Sequence, residues 1–171
     1  MSISHLRLFS VLSGLLLLLL LPVTELAAEA TLKGSVSWIY DGDTLEVEGV
    51  GKVRLLGVDT PEKQASDRDN FYQQWQISPA RLRDIARQAT RFGINHSKCR
   101  TVSLASGATR YDRHGRMLAY VYLPDGRLLN RLLLERGLAT VYRRFDFSMK
   151  EDFLKAEELA RQHGLGLWKK P

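Results

Sequence analysis

The sequence predicts a small α+β barrel. Three observations carry that prediction: five short runs of strand-like residues, turn residues punctuating them at close intervals, and helical periodicity that enters only after the third run. Ser35–Tyr40 reads as the first strand and Thr44–Val47 as the second, with Asp41-Gly42-Asp43 turning the chain between them. Glu48 to Gly51 is the next turn, and Lys52–Val58 is the third strand. It stops at Asp59-Thr60-Pro61-Glu62, since a proline cannot donate to a ladder. Residues 63–78 form a polar loop carrying Phe71, Tyr72 and Trp75. Ser78-Pro79-Ala80 then opens a helix, with serine as N-cap and proline at the first helical position. Leu82, Ile85, Ala86 and Ala89 recur at helical spacing, and Gly93 ends the helix. Arg100–Leu104 is the fourth strand and Arg116–Leu123 the fifth, followed by a turn at Pro124-Asp125-Gly126. Asn130 caps a short helix through Arg136, closed by Gly137. The last helix starts at Ser148, with Glu151 completing a capping box. Met149, Phe153, Ala156 and Ala160 line one face of it, and Gly164 is the stop.

Residues 1–30 are of a different composition. After Arg7 come fourteen uncharged residues, Leu8 to Leu21, ending in seven consecutive leucines, and then Pro22 and a small-residue exit at Ala28-x-Ala30. This is the pattern of a secretory signal peptide, leaving 31–171 as one domain. The alternative is an uncleaved membrane anchor. Fourteen helical residues reach about 21 Å, short of the roughly 30 Å hydrocarbon core. The expected location is therefore secreted or periplasmic. An uncleaved segment would instead leave the protein membrane-anchored, facing outside the cytoplasm.

The 171 residues include 25 Lys+Arg and 19 Asp+Glu, for a formal charge of +6 and a pI of about 9.6. Without Arg7, Glu25 and Glu29, the remaining 141 residues keep 24 basic and 17 acidic side chains, a net charge of +7. The basic character thus belongs to the expected domain. It favours a polyanionic partner (nucleic acid, anionic membrane or acidic polysaccharide) without choosing among them. The single cysteine, Cys99, excludes an internal disulfide framework and a Cys-based zinc site. Its surroundings read as a strand, so it is expected to be a buried core residue.

Chemistry is suggested by grouping. Taken alone, Asp41-Gly42-Asp43 is a hairpin turn and Asp59 to Glu62 a loop with solvated carboxylates. Taken together, four carboxylates at the ends of neighbouring strands can supply the oxygens that a hard cation needs. His5, His96, His114 and His163 lack close metal-ligand spacing, which points away from zinc and towards calcium or magnesium. Arg54 interrupts an apolar strand and Arg116 precedes one. Each either faces solvent or serves an anionic partner.

Asp41-Gly42-Asp43-Thr44, then Arg54-Leu55-Leu56-Gly57-Val58-Asp59-Thr60-Pro61-Glu62, then Asp112-x-x-Gly115-Arg116-x-Leu118-Ala119-Tyr120 occur in order. With Asn130, Arg136-Gly137-Leu138-Ala139 and Leu167-Trp168, they resemble the staphylococcal nuclease (thermonuclease) family over roughly residues 33–168. The resemblance implies an OB-type five-stranded β-barrel with three helices and a Ca2+-dependent endonuclease acting on DNA and RNA. Such an enzyme leaves a 3′-phosphate and a free 5′-hydroxyl. It further implies that Asp43, Asp59 and the Thr60 backbone carbonyl ligate calcium, with Asp41 acting through water. Arg54 and Arg116 would bind the scissile phosphate, and Glu62 would orient or deprotonate the attacking water. Arg113, His114 and Tyr142 would contact substrate. The family turn usually carries Lys and Tyr where this chain has Arg113 and His114, so a cation is kept and a phenol is lost.

Those residue types suit in-line attack on a phosphodiester, where charge builds on oxygens that guanidiniums can bind in pairs. No stable protein partner is implied, and a monomer is expected, with membrane contact only if the N-terminal segment is retained. A second reading, a non-catalytic nucleic-acid-binding OB-fold module, has no need of Asp43, Asp59 and Glu62 beside the arginines. One geometric tension remains. Strict strand alternation sets Arg54 and Asp59 on opposite faces, and a bulge or bend near Gly57 would bring them together.

Overall fold

The computed structural model describes residues 32–170, so the expected signal peptide over 1–30 lies outside the described residues. The described residues form seven strands: β1 Leu32–Ile39, β2 Thr44–Val47, β3 Gly51–Leu55, β4 Val58–Asp59, β5 Thr101–Tyr111, β6 Met117–Tyr122 and β7 Thr140–Val141. Five of them close a barrel in the order β1-β2-β3-β6-β5, an OB-type arrangement, while β4 and β7 pair separately. All barrel pairings are antiparallel except β3 with β6, where Val53 faces Met117 and Leu55 faces Ala119. The inward positions Val36, Leu45, Val47, Val53, Leu55, Val102, Leu104, Met117 and Val121 are all buried, which is the alternation the sequence predicts.

Among the described residues four α-helices accompany this barrel: α1 Asp69–Tyr72, α2 Pro79–Ser97, α3 Leu129–Glu135 and α4 Lys150–Gln162. The expected polar loop over 63–78 instead contains α1 and a 3₁₀ turn at Gln73–Trp75. Tyr72 turns inward and is buried, and Trp75 packs edge-on against Trp168. Ser78 caps α2 as expected, its side chain accepting from Arg81 N at 3.3 Å. Gly93 does not end that helix. It is buried mid-helix, where an added Cβ would sit 3.4 Å from Ile39, so α2 runs on to Ser97.

Three further expectations are corrected by where polar atoms find partners. Asn130 is not a helix cap. It lies inside α3, fully buried, with Oδ1 accepting from Val121 N and Nδ2 donating to the carbonyls of Leu56 and Ala119. Its amide thus joins α3, β6 and the turn after β3. Ser148 forms no capping box, because its hydroxyl is 3.0 Å from the Tyr120 hydroxyl and α4 begins at Lys150. Cys99 is exposed rather than buried. It sits in the reversal between α2 and β5 with φ of 59°, its N–H donating to the Val36 carbonyl, so its side chain is turned away from the core.

The expected third strand, 52–58, is broken in two at Leu56-Gly57. Gly57 has φ of 78°, and an added Cβ would lie 2.6 Å from the Phe147 ring. Glycine alone meets both conditions without strain. The expected fourth strand is longer, running to Tyr111, with an irregularity against β6 between Ser106 and Tyr111. The fifth is slightly shorter than expected, over Met117–Tyr122.

Candidate active site

The turn between β1 and β2 places the first carboxylates. Asp41 Oδ1 accepts from Asp43 N at 3.0 Å, a local bond that holds the turn shut. Gly42 is required by packing, since an added Cβ would lie 2.6 Å from the Ala89 Cβ and 2.7 Å from Thr60 Oγ1. Asp43 is 2% exposed. Its Oδ2 accepts from Thr60 N at 2.7 Å and from Thr60 Oγ1 at 2.9 Å, and its Oδ1 accepts from Thr44 Oγ1 at 3.3 Å. A buried carboxylate needs such partners to stay charged.

Arg54 answers that charge. It stands opposite Thr44 in the β2–β3 ladder, and its guanidinium pairs with Asp43 through Nη1 and with Asp59 Oδ1 at 2.6 Å through Nη2. The bend at Gly57 makes the second pairing possible: β4 turns back onto β7, Asp59 opposite Thr140, and Asp59 arrives on the Arg54 side. Burial pulls the Arg54 guanidinium below its ordinary value, against the raising effect of the Asp59 charge. The tension in strand alternation is thereby resolved in the way the sequence suggested.

Arg68, just before α1, joins the same group and was not found from sequence. It pairs with Asp59 and, through Nη1, with Glu62 Oε1 at 3.3 Å. Desolvation works against its charge, but the hydrogen bond and charge of Asp59, with the charge of Glu62, hold it above its ordinary value. The 63–78 segment has no periodicity to mark Arg68, so no local signal separates it from other loop arginines.

Arg54, Asp59, Arg68 and Arg116 share the wall of a cavity of about 1010 Å³ with Arg113, His114 and Tyr142. Asp43 reaches it only through Arg54, and Glu62 through Arg68. Arg116 is held by Asp112, whose Oδ2 accepts from its Nε at 2.8 Å and its Nη2 at 2.7 Å. Asp112 Oδ1 also accepts from the backbone N–H groups of His114 and Arg116, which fixes the whole turn. Arg113 Nε donates to His114 Nε2 at 3.1 Å at the exposed tip. Tyr142 lies against Phe145, ring centroids 5.0 Å apart. Arg143 is a second cavity residue that the sequence reading missed, anchored by the buried Glu157 of α4.

Partial burial of Asp112 works against its charge, but the hydrogen bonds and charge of Arg116, with the His114 N–H, hold its carboxyl below the usual range. A depressed carboxyl stabilises the fold above its unfolded pKa, and that contribution disappears as pH falls through the folded value. The Asp112→Asn variant is therefore expected to lower the urea midpoint at neutral pH, with the difference from the native protein vanishing in strong acid. A difference that persists unchanged in strong acid would contradict the assignment.

By donor type alone, Asp43, Asp59 and the Thr60 carbonyl suit a hard cation, with Asp41 in the same turn as Asp43. In this structure Arg54 and Thr60 engage the Asp43 carboxylate, and Arg54 and Arg68 engage that of Asp59, so a cation would have to take the place of part of these contacts. Among the described residues no group of three or more His, Cys, Asp or Glu is gathered as a metal cluster, so the carbonyl and water would have to complete the ligand set. Also among the described residues, no helix is long and apolar enough to cross a membrane.

Fold and site together define a class: a small closed barrel that gathers guanidiniums and carboxylates at one mouth, chemistry suited to an anionic phosphate group. The family model described as staphylococcal nuclease homologue matches residues 52–170, and the chain belongs to that family. It is 30% identical over 134 residues to the thermonuclease of Staphylococcus hyicus, a match covering 76% of this chain and 72% of that one. It is 31% identical over 148 residues to a protein of Escherichia coli O157:H7 named an uncharacterized endonuclease, covering 81% and 78%. An uncharacterized protein of Methanocaldococcus jannaschii is 35% identical over 149 residues, covering 79% and 70%.

Proposed function

We propose that the chain is an exported, calcium-dependent nuclease that hydrolyses phosphodiester bonds of DNA and RNA and leaves 3′-phosphates. The observation that carries this reading is the meeting of Arg54 and Arg116 on one cavity wall, with Asp43, Asp59 and Glu62 joined to that wall directly or through one arginine. The names of the relatives, thermonuclease and endonuclease, support the same activity.

In this reading Arg54 and Arg116 bind the non-bridging oxygens of the scissile phosphate and offset the charge that develops on them. Glu62 orients or deprotonates the attacking water. The water oxygen bonds to phosphorus and gives up a proton to Glu62 or through it to solvent, the bond to the 5′ oxygen breaks, and that oxygen takes a proton from solvent and leaves as a 5′-hydroxyl. Asp43, Asp59 and the Thr60 carbonyl would hold calcium, with Asp41 acting through water. When bound, the ion supplies Lewis-acid neutralisation of the phosphate. Export agrees with the leader-like residues 1–30 and with the calcium range of about 10⁻⁴–10⁻³ M that extracellular modules use.

The test is incubation of the purified protein with plasmid and with RNA, in calcium, in a chelator, and after calcium is restored. Degradation that requires calcium and returns with it is expected. Intact substrate under every calcium condition would overturn the enzymatic reading, and retained binding would then favour the non-catalytic module.

A further inference from the structure

The outer face of β1, β2 and β3 carries exposed aromatic rings beside lysines, on the side of the barrel that leads to Arg116. Trp38 is 54% exposed and Tyr40 38%, with Ile39 between them buried in the core. Both rings therefore stand on one face. Lys98 Nζ lies 4.7 Å from the Trp38 ring centroid, and Lys52 Nζ lies 4.5 Å from that of Tyr40. Lys63 Nζ donates to the Tyr40 carbonyl at 2.8 Å. Glu46 on this face accepts from the Tyr40 hydroxyl at 2.9 Å, and Glu48 is exposed just past the end of β2.

Strand register makes the row continuous. Trp38 stands opposite Glu46, and Glu46 opposite Lys52. Lys52 and Arg116 each immediately precede the Val53–Met117 pair of the parallel β3–β6 ladder, and both line a small hollow shared with Arg68 and His114. The row thus runs across neighbouring strands from Trp38 to the phosphate-facing guanidinium.

We propose that this face is a binding track for the arm of a single-stranded nucleic acid that extends beyond the scissile phosphate, with Trp38 and Tyr40 as stacking platforms and Lys52, Lys63 and Lys98 along the backbone. The inference rests on the nuclease reading of the site and adds the path of the strand. Cations beside aromatic faces suit unpaired bases, whose flat surfaces stack while the phosphates meet the lysines. A duplex keeps its bases stacked inside and offers these rings nothing comparable. Continuity with the Arg116 mouth, and a row whose lysines outnumber its acids, favour a strand over a protein partner.

The test measures binding of fluorescently labelled oligonucleotides by anisotropy, in chelator so that the strand stays intact. Trp38→Ala and Tyr40→Ala are each expected to weaken binding of a single strand of about 12 nucleotides by about tenfold. Binding of a trinucleotide and of a duplex should change by less than about twofold, and urea midpoints should be unchanged because both rings lie outside the core. Unaltered binding of the long strand by both variants would overturn the track, as would equal losses for trinucleotide and duplex. A native dimer in sedimentation that Trp38→Ala dissolves would assign the face to self-association and overturn it as well. If the native protein hydrolyses nucleic acid while the variants bind normally, the track alone fails. If it never hydrolyses but the variants lose long-strand binding, the nuclease reading fails and the track stands.

Discussion

Replacement of Arg116 by alanine is expected to slow hydrolysis of DNA about 10³-fold while lowering the urea midpoint no more than Asp112→Asn does, since both variants break the same surface pair. The expectation combines two properties. Arg116 lies on the cavity wall with a side chain 28% exposed, so its guanidinium can reach an incoming phosphate. Its contacts in the fold are those to Asp112, in a turn at the surface, so its loss opens no hole in the core. Removing one donor that faces developing charge typically costs 10²- to 10³-fold or more, and a guanidinium on a transferring phosphoryl group sits at the upper end. Lysine should recover little, because a single ammonium cannot reproduce the planar fork. Initial rates on single-stranded DNA in saturating calcium measure the effect, and a rate within tenfold of native would remove Arg116 from the phosphate site.

The second large effect is expected at Glu62. Glu62→Gln keeps the shape and removes the charge, so kcat should fall by about 10²–10⁴-fold, with KM changed far less. The side chain is 38% exposed and, among the described residues, pairs with Arg68 Nη1 alone, so folding should not depend on it. A fall in substrate affinity with kcat intact would mean that Glu62 serves binding rather than the attacking water.

Much of this was legible in the sequence where a residue type has one dominant use. Ser78-Pro79 marked the start of α2, Gly137 and Gly164 the ends of α3 and α4, and Gly57 the bend that pairs Arg54 with Asp59. Residues with several uses misled. Asn130 and Ser148 look like caps, but their side chains are taken by backbone of β6 and by Tyr120, partners far along the chain. Gly93 looks like a stop and is instead a packing contact with Ile39. Arg68 and Arg143 were invisible as site residues because their partners, Asp59 and Glu157, are set by tertiary folding rather than by spacing.

The parallel β3–β6 pairing has a consequence for how the cavity wall is assembled. Asp41 to Glu62 is one short stretch of chain that holds Asp43, Arg54 and Asp59, with Asp59 set in place by the pairing of β4 with β7. Arg116 belongs to a distant stretch and reaches them only when Val53 and Met117 pair. Parallel partners cannot be joined by a tight turn, so this seam depends on long-range closure of the chain. The two arginines therefore share one cavity wall as a product of the finished barrel, not of any single stretch of sequence.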